Sequence, residues 1–115
     1  MKNISIQRRT SLIKELMVGI INNVIQNDQI GHISITDVEL SNDLSFSTIY
    51  YTILKDSKEN LLLVANLIKE NKKRIRSQLA NELKQIKKIP DLIFKYDRSY
   101  EEGAKIDKIL KDLKE

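Results

Sequence analysis

The clearest pattern in the chain is a series of apolar pairs near the N-terminus. The pairs begin at Leu12 and recur every four residues until Ile25. This spacing predicts an amphipathic helix over about 12–26 with one wide apolar face. Gly31, which follows a polar stretch, is expected to end the segment.

The next segment has the period of two that is typical of β-strands. Its alternation changes phase around Thr36 and Asp37, which predicts either a β-bulge or a strand buried on both faces. Turn-forming residues at 41–43 lead into a run rich in β-branched and aromatic side chains. The pattern therefore predicts a β-hairpin with strands at about 32–41 and 44–54.

Helical spacing returns after the hairpin, and Asp56 with Glu59 resembles a capping box at its start. The apolar stripe then lapses between Ile68 and Ile75. A straight helix would place Asn71 or Lys72 near the core. Burying such a polar group without a partner costs about 1–3 kcal/mol, and burying a charge costs more.

A bend between Lys69 and Arg74 would turn this polar stretch towards solvent. Asn71 is the expected pivot, because Asn tolerates the left-handed region. We therefore predict two helices, at 58–70 and 74–87. One continuous helix is the alternative.

Pro90 ends the helical pattern, and the alternation at 91–96 predicts a third strand. Ser99 opens a candidate capping box for a last helix. The predicted order is α-β-β-α-α-β, followed by a C-terminal helix. This order favours an α+β two-layer sandwich, in which helices cover one face of a three-stranded sheet. Residues 1–97 would form the domain, and the helix at 98–115 would belong to it.

Charge is concentrated in the second half of the chain. The net charge is +4, whereas residues 69–88 contain eight basic and two acidic side chains and so carry +6 alone. Such a local positive field suits a polyanion, with nucleic acid favoured over membrane. A solvated, lysine-rich helix face is the alternative interpretation.

The chain offers little for catalysis or cofactor binding. It has no cysteine and a single histidine, His32, so a metal site is not expected. It contains no phosphate-binding glycine loop and no nucleophile elbow. Neither a membrane span nor a secretory signal is evident, which indicates a cytoplasmic protein. We expect a non-enzymatic, monomeric protein without a cofactor.

The candidate binding residues are basic. On a helix, Lys69, Lys72, Lys73 and Arg76 would share one face, where they could contact a phosphate backbone. Of two adjacent tyrosines, Tyr50 and Tyr51, at least one should pack in the core. The full candidate set for RNA binding is Arg8, Arg9, Lys69, Lys72, Lys73, Arg74, Arg76, Lys84, Lys87 and Lys88.

Two long segments resemble the ribosome-binding factor A family. Residues 30–54, IGHISITDVELSNDLSFSTIYYTIL, are similar to its hairpin. Residues 75–110, IRSQLANELKQIKKIPDLIFKYDRSYEEGAKIDKIL, are similar to its helix, proline, strand and closing aspartate-x-serine-x-x-x-glycine motif. Arg8 and the helix behind it match the family's basic N-terminal helix, so the resemblance covers nearly the whole chain.

The resemblance implies a KH-like fold of type II order and no catalytic activity. It also implies binding to the small ribosomal subunit and its rRNA. There the factor would assist maturation of the rRNA near its 5′ end, with importance in cold adaptation.

Three features depart from this pattern. The family's alanine-x-glycine kink would fall at 71–73, where neither small residue is present. One extra residue lies between Ile75 and Pro90. The chain also lacks the GxxG loop with which KH domains clamp single-stranded RNA, so side chains and shape would have to do the binding.

Two other functions remain open on the residues alone. Residues 58–86 could form the helix-turn-helix of a DNA-binding regulator, although the β-rich segments would then be surplus. Alternatively, the last helix could dock a protein partner through its apolar stripe.

Overall fold

The computed structural model describes residues 4–83 and 89–99 of the chain. The predicted C-terminal helix at 98–115 lies almost entirely outside the described residues. The described elements are α1 (Ile4–Val24), β1 (Ile33–Leu40), β2 (Phe46–Ile53), α2 (Lys58–Glu82) and β3 (Asp91–Tyr96).

Helix α1 begins at Ile4, well before the predicted start at residue 12. Its first turns are mostly polar and carry no apolar pairs, so periodicity could not reveal them. At its other end, Asn22 ties the helix to the sheet. The Asn22 amide donates to the carbonyl oxygen of Ile33 (2.9 Å), and its side-chain oxygen accepts from the Ile33 N–H (2.8 Å).

The sheet has the order β1-β2-β3, with β1 and β2 antiparallel and β2 and β3 parallel. The strand pairing shifts between Ile35 and Asp37, so the predicted β-bulge is confirmed. Thr36 is the extra residue. The bulge resets the alternation, and both halves of β1 therefore keep their apolar side chains on the helical side.

The hairpin turn is built by short polar side chains, as predicted. Ser41 Oγ donates to Asp43 Oδ1 (2.8 Å), and the Ser45 N–H donates to the same carboxyl oxygen (3.1 Å). Leu44 adopts a φ of +63°. This is an unusual conformation for a non-glycine residue, and the side-chain bonds stabilise the turn around it.

The predicted bend between Lys69 and Arg74 is wrong, because α2 is one continuous helix through this region. Asn71 is half-buried and has an ordinary helical backbone. Its amide donates to the carbonyl oxygen of Leu67 (2.8 Å). The polar group therefore has a partner, and the cost that motivated the bend does not arise.

A continuous α2 also removes the helix-turn-helix alternative, which requires a turn inside this segment. The predicted capping box is corrected as well. The N-cap is Ser57, whose side chain accepts from the Asn60 N–H (3.2 Å). Neither α1 nor α2 is long and apolar enough to cross a membrane, and these are the helices of the described residues.

Both helices pack on one face of the sheet, and the core lies between the two layers. The predicted two-layer α+β sandwich is thus confirmed, with the two middle helices joined into one. All five elements supply fully buried side chains: Ile13, Met17, Ile21, Ile33, Ile49, Val64, Ile75, Leu79 and Leu92.

Candidate nucleic-acid interface

One flank of α2 carries three exposed lysines, Lys69, Lys72 and Lys73, which we call the basic flank. Residues in a helix are spaced by about 100°. Lys69 and Lys72 therefore lie within about 60° of each other, on the side of α2 that faces β3. Lys73 lies slightly further towards solvent. Arg76, the fourth residue predicted to share this face, also lies on this side of the continuous helix. The predicted sharing of one face is therefore confirmed.

A shallow groove of about 190 Å³ runs between the basic flank and the sheet. The small side chain of Ala65 leaves room between α2 and β3, and the aromatic rings of Tyr51 and Phe94 lie across from it. Lys69 and Lys72 stand on the helical side. The complete lining is Tyr51, Ala65, Ile68, Lys69, Lys72 and Phe94. The groove thus combines aromatic surface with two cations.

Arg76 lies on the same side of α2 but is engaged by the chain itself. Its guanidinium donates to the carbonyl oxygens of Ile89 (3.0 Å) and Pro90 (3.5 Å). It also approaches the carboxylate of Asp91 (3.7 Å). These contacts hold the start of β3 against α2. Arg76 therefore has mainly a structural role, and few of its N–H groups remain to donate to a ligand.

Arg74 lies on the opposite flank of α2, about 160° from Arg76. Its guanidinium donates to the Asn71 side chain (3.4 Å). Arg74 therefore does not belong to the basic flank, although it is adjacent to Lys73 in sequence.

The remaining candidates lie on other parts of the chain. Arg8 is exposed and Arg9 half-buried, both in the second turn of α1. The start of α2 contacts the loop after α1, because the side chain of Gln29 donates to Asn60 (2.8 Å). The start of α2 therefore lies near the C-terminal end of α1, and the two helices run antiparallel to each other. Lys84, Lys87 and Lys88 lie outside the described residues.

The two adjacent tyrosines face opposite sides of the sheet. Tyr51 is buried among the helices and meets Tyr96 edge-on, with ring centroids 5.5 Å apart. Tyr50 lies on the other face, which neither of the described helices α1 and α2 covers and which we call the uncovered face. The core position predicted for one of them is confirmed. Sequence reasoning missed the groove residues Ala65 and Phe94, since a small residue in an apolar stripe normally indicates close packing.

Comparison with known proteins gives one family. The family model described as Ribosome-binding factor A matches residues 5–110. A relative named ribosome-binding factor A from Phytoplasma mali is 48% identical over 107 residues, which cover 93% of this chain and 94% of the relative. The protein of that name from Staphylococcus epidermidis is 37% identical over 116 residues, covering 98% and 96%.

Solved structures show the same fold. The crystal structure of ribosome-binding factor A from Thermus thermophilus matches with a TM-score of 0.67 at 16% identity, covering 79% of this chain and 93% of that one. A Thermus thermophilus model of the same factor, fitted into a cryo-electron microscopy map of its complex with the 30S particle, matches with a TM-score of 0.65 at 16% identity and covers 78% and 92%.

Proposed function

The chain belongs to the ribosome-binding factor A family, and from this premise we propose that it is an assembly factor of the small ribosomal subunit. It binds the subunit through rRNA and promotes maturation of the 5′ region of that rRNA, with its greatest importance during growth in the cold. The relatives' name and the fitted 30S complex of the Thermus thermophilus factor support the choice of particle.

The observation that carries the binding mode is the basic flank beside the aromatic groove. Lys69, Lys72 and Lys73 are exposed on one side of a rigid helix, which is the arrangement that follows a phosphate backbone. The groove, with a volume of about 190 Å³, offers space for one base that is not stacked in a duplex. Because the chain lacks a GxxG loop, recognition rests on side chains and shape.

The other candidate cations have smaller parts in this proposal. Arg76 is held by the chain and mainly positions β3. Arg8, Arg9 and Arg74 extend the positive surface on the side of the helical layer nearer α1. Lys84, Lys87 and Lys88 continue the basic segment of the sequence after α2, outside the described residues.

Sedimentation with ribosomal particles tests the proposal. We expect the tagged protein to migrate with free small subunits and not with mature ribosomes. Reversing Lys69, Lys72 and Lys73 to Glu should abolish this co-migration, while the thermal midpoint stays nearly unchanged because all three side chains are exposed.

A matched control reverses three lysines outside the basic flank. Lys14, Lys55 and Lys95 are also exposed and lie outside α2, so their replacement by Glu changes the net charge equally. This control should keep most of the particle binding. Equal loss in both triple variants would show that net charge alone governs binding, and co-purification with DNA would contradict the choice of rRNA.

A further inference from the structure

The face of the sheet turned away from the helices carries an apolar strip. Phe46 of β2 is 49% exposed and Ile93 of β3 is 37% exposed. In the strand pairing Phe46 is opposite Asp91, and Ile93 is opposite Thr48. The two apolar side chains are therefore diagonal neighbours, within reach of a single ligand. Tyr50, one alternation beyond Thr48, extends the strip, which we define as Phe46, Ile93 and Tyr50.

Carboxylates border this apolar strip. On β1, Asp37 pairs with Tyr50 and Glu39 pairs with Thr48. Asp91 and Asp97 lie at the start of β3 and just after its end. The cations near the face are fewer. Lys95 pairs with Tyr50, and Arg76 reaches Asp91.

Local hydrogen bonds fix the position of Asp97 and favour its charged form. Bonds from Ser99 and Thr36 lower the pKa of Asp97 below its usual value. Thr36 Oγ1 donates to Asp97 Oδ2 at 2.5 Å. Tyr50 bonds to Glu39, and desolvation together with the charge of Glu39 raises the pKa of the Tyr50 hydroxyl. At neutral pH the tyrosine therefore stays a neutral donor beside an anionic face.

We propose that this uncovered face of the sheet docks a protein partner through a lysine- or arginine-rich extended segment that also carries apolar side chains. The cations of such a segment would meet Asp37, Glu39 and Asp97. Its apolar side chains would cover the strip. The interface goes beyond the proposed function, since it lies on the far side of the sheet from the helical layer and uses no residue of the basic flank.

Charge complementarity selects this occupant over the other candidates. Four carboxylates outnumber the two cations Lys95 and Arg76 at this face, so the phosphates of RNA and anionic lipid headgroups would both be repelled. A second copy docked symmetrically would oppose Asp37 and Glu39 with their own equivalents. A cationic protein segment both neutralises the border and buries exposed apolar surface.

Nuclear magnetic resonance on the isotope-labelled full chain tests the proposal. The probe is a short synthetic peptide in which lysine alternates with valine. We expect saturable shifts at residues of the uncovered face, centred on Thr48 and Tyr50, and no comparable shifts on the basic flank. A peptide with glutamate in place of lysine should produce none. Absence of saturable shifts, or shifts confined to α2, would overturn the proposal.

Two variants separate specific docking from general attraction to acidic residues. Asp37→Asn combined with Glu39→Gln should weaken peptide binding about fivefold to tenfold. The matched control, Glu15→Gln with Glu70→Gln, removes two exposed carboxylates from the helices and should change binding less than about twofold. Equal effects in the two pairs would contradict the proposal.

Two further titrations test the rejected occupants. An RNA oligonucleotide that shifted the uncovered face would assign that face to nucleic acid and overturn the proposal. If, without peptide, the resonances of the same residues shifted with protein concentration, the uncovered face would be assigned to a second copy of the chain. That result would also overturn the proposal. Phe46→Ser, a change at a half-exposed position, should weaken peptide binding severalfold and lower the thermal midpoint by only a few degrees.

Discussion

Gly31 and Gly19 differ in backbone conformation, although an added methyl group would have no neighbour within 4 Å at either position. Gly31 has a φ of +68°, whereas Gly19 lies inside α1. Gly31→Ala should therefore lower the free energy of unfolding by about 1 kcal/mol. Gly19→Ala should raise it by a similar amount, because alanine favours the helix. Thermal unfolding of both variants measures these two changes in the free energy of unfolding. If both substitutions stabilised the protein, or both destabilised it, the assigned backbone conformations would be contradicted.

Asn60 joins the first turn of α2 to two loops. Its amide donates to the carbonyl oxygens of Lys55 (2.9 Å) and Gln29 (3.3 Å), and its side-chain oxygen accepts from Gln29 (2.8 Å). Asn60→Ala should cost about 1–3 kcal/mol in urea unfolding, because Asn60 is buried and its truncation removes three partly buried hydrogen bonds. Asn66, exposed on the same helix, is the control. Asn66→Ala should stay within about 0.5 kcal/mol of the parent, and equal costs would contradict a role for the network.

At the scale of elements, the sequence predicted the structural features that depend on a repeated spacing of apolar residues. The three strands, the bulge at Thr36 and the core faces of both helices follow from periods of two and of about 3.6. It did not predict the continuity of α2. Asn71 fits into the continuous helix because its amide donates to the Leu67 carbonyl oxygen, and no spacing of apolar residues reveals that bond.

Prediction of the candidate site from the sequence is limited in the same way. Helical spacing placed Lys69, Lys72 and Lys73 together. It could not show that Arg76 is engaged by the carbonyl oxygens before β3, because that contact depends on how two distant segments pack. The groove at Ala65 also arises from the distance between two elements and has no local signal.

The continuity of α2 can be tested at Asn71. This residue lies in the apolar stripe between Ile68 and Ile75 and is half-buried. Asn71→Leu should raise the free energy of unfolding by about 1 kcal/mol through helix propensity and added apolar burial. Asn71→Gly should lower it by about 0.5 kcal/mol or less. Stabilisation by glycine in urea unfolding would indicate a bend and contradict the continuous helix.

At the scale of the whole molecule, opposite charges lie on opposite sides of the sandwich. The basic flank belongs to the helical layer, and the carboxylates border the uncovered face of the sheet. This separation would orient the protein as it approaches a polyanion, with α2 leading. RNA binding by the basic flank and protein docking on the uncovered face could then proceed together, because the two surfaces have no residue in common.

Salt dependence gives the sharpest test of the basic flank in the complete protein. If about four phosphates are contacted, a fourfold rise in salt should weaken particle binding on the order of a hundredfold. Each lost phosphate contact lowers the slope of log affinity against log salt by about 0.7–0.9. Reversing Lys69, Lys72 and Lys73 should therefore reduce the slope by about 2–3, as measured by binding titrations of labelled small-subunit particles at several salt concentrations. The control triple at Lys14, Lys55 and Lys95 should keep the parent slope, because none of these lysines lies on α2. If the affinity of the first triple fell while its slope stayed at the parent value, these lysines would not be the phosphate contacts.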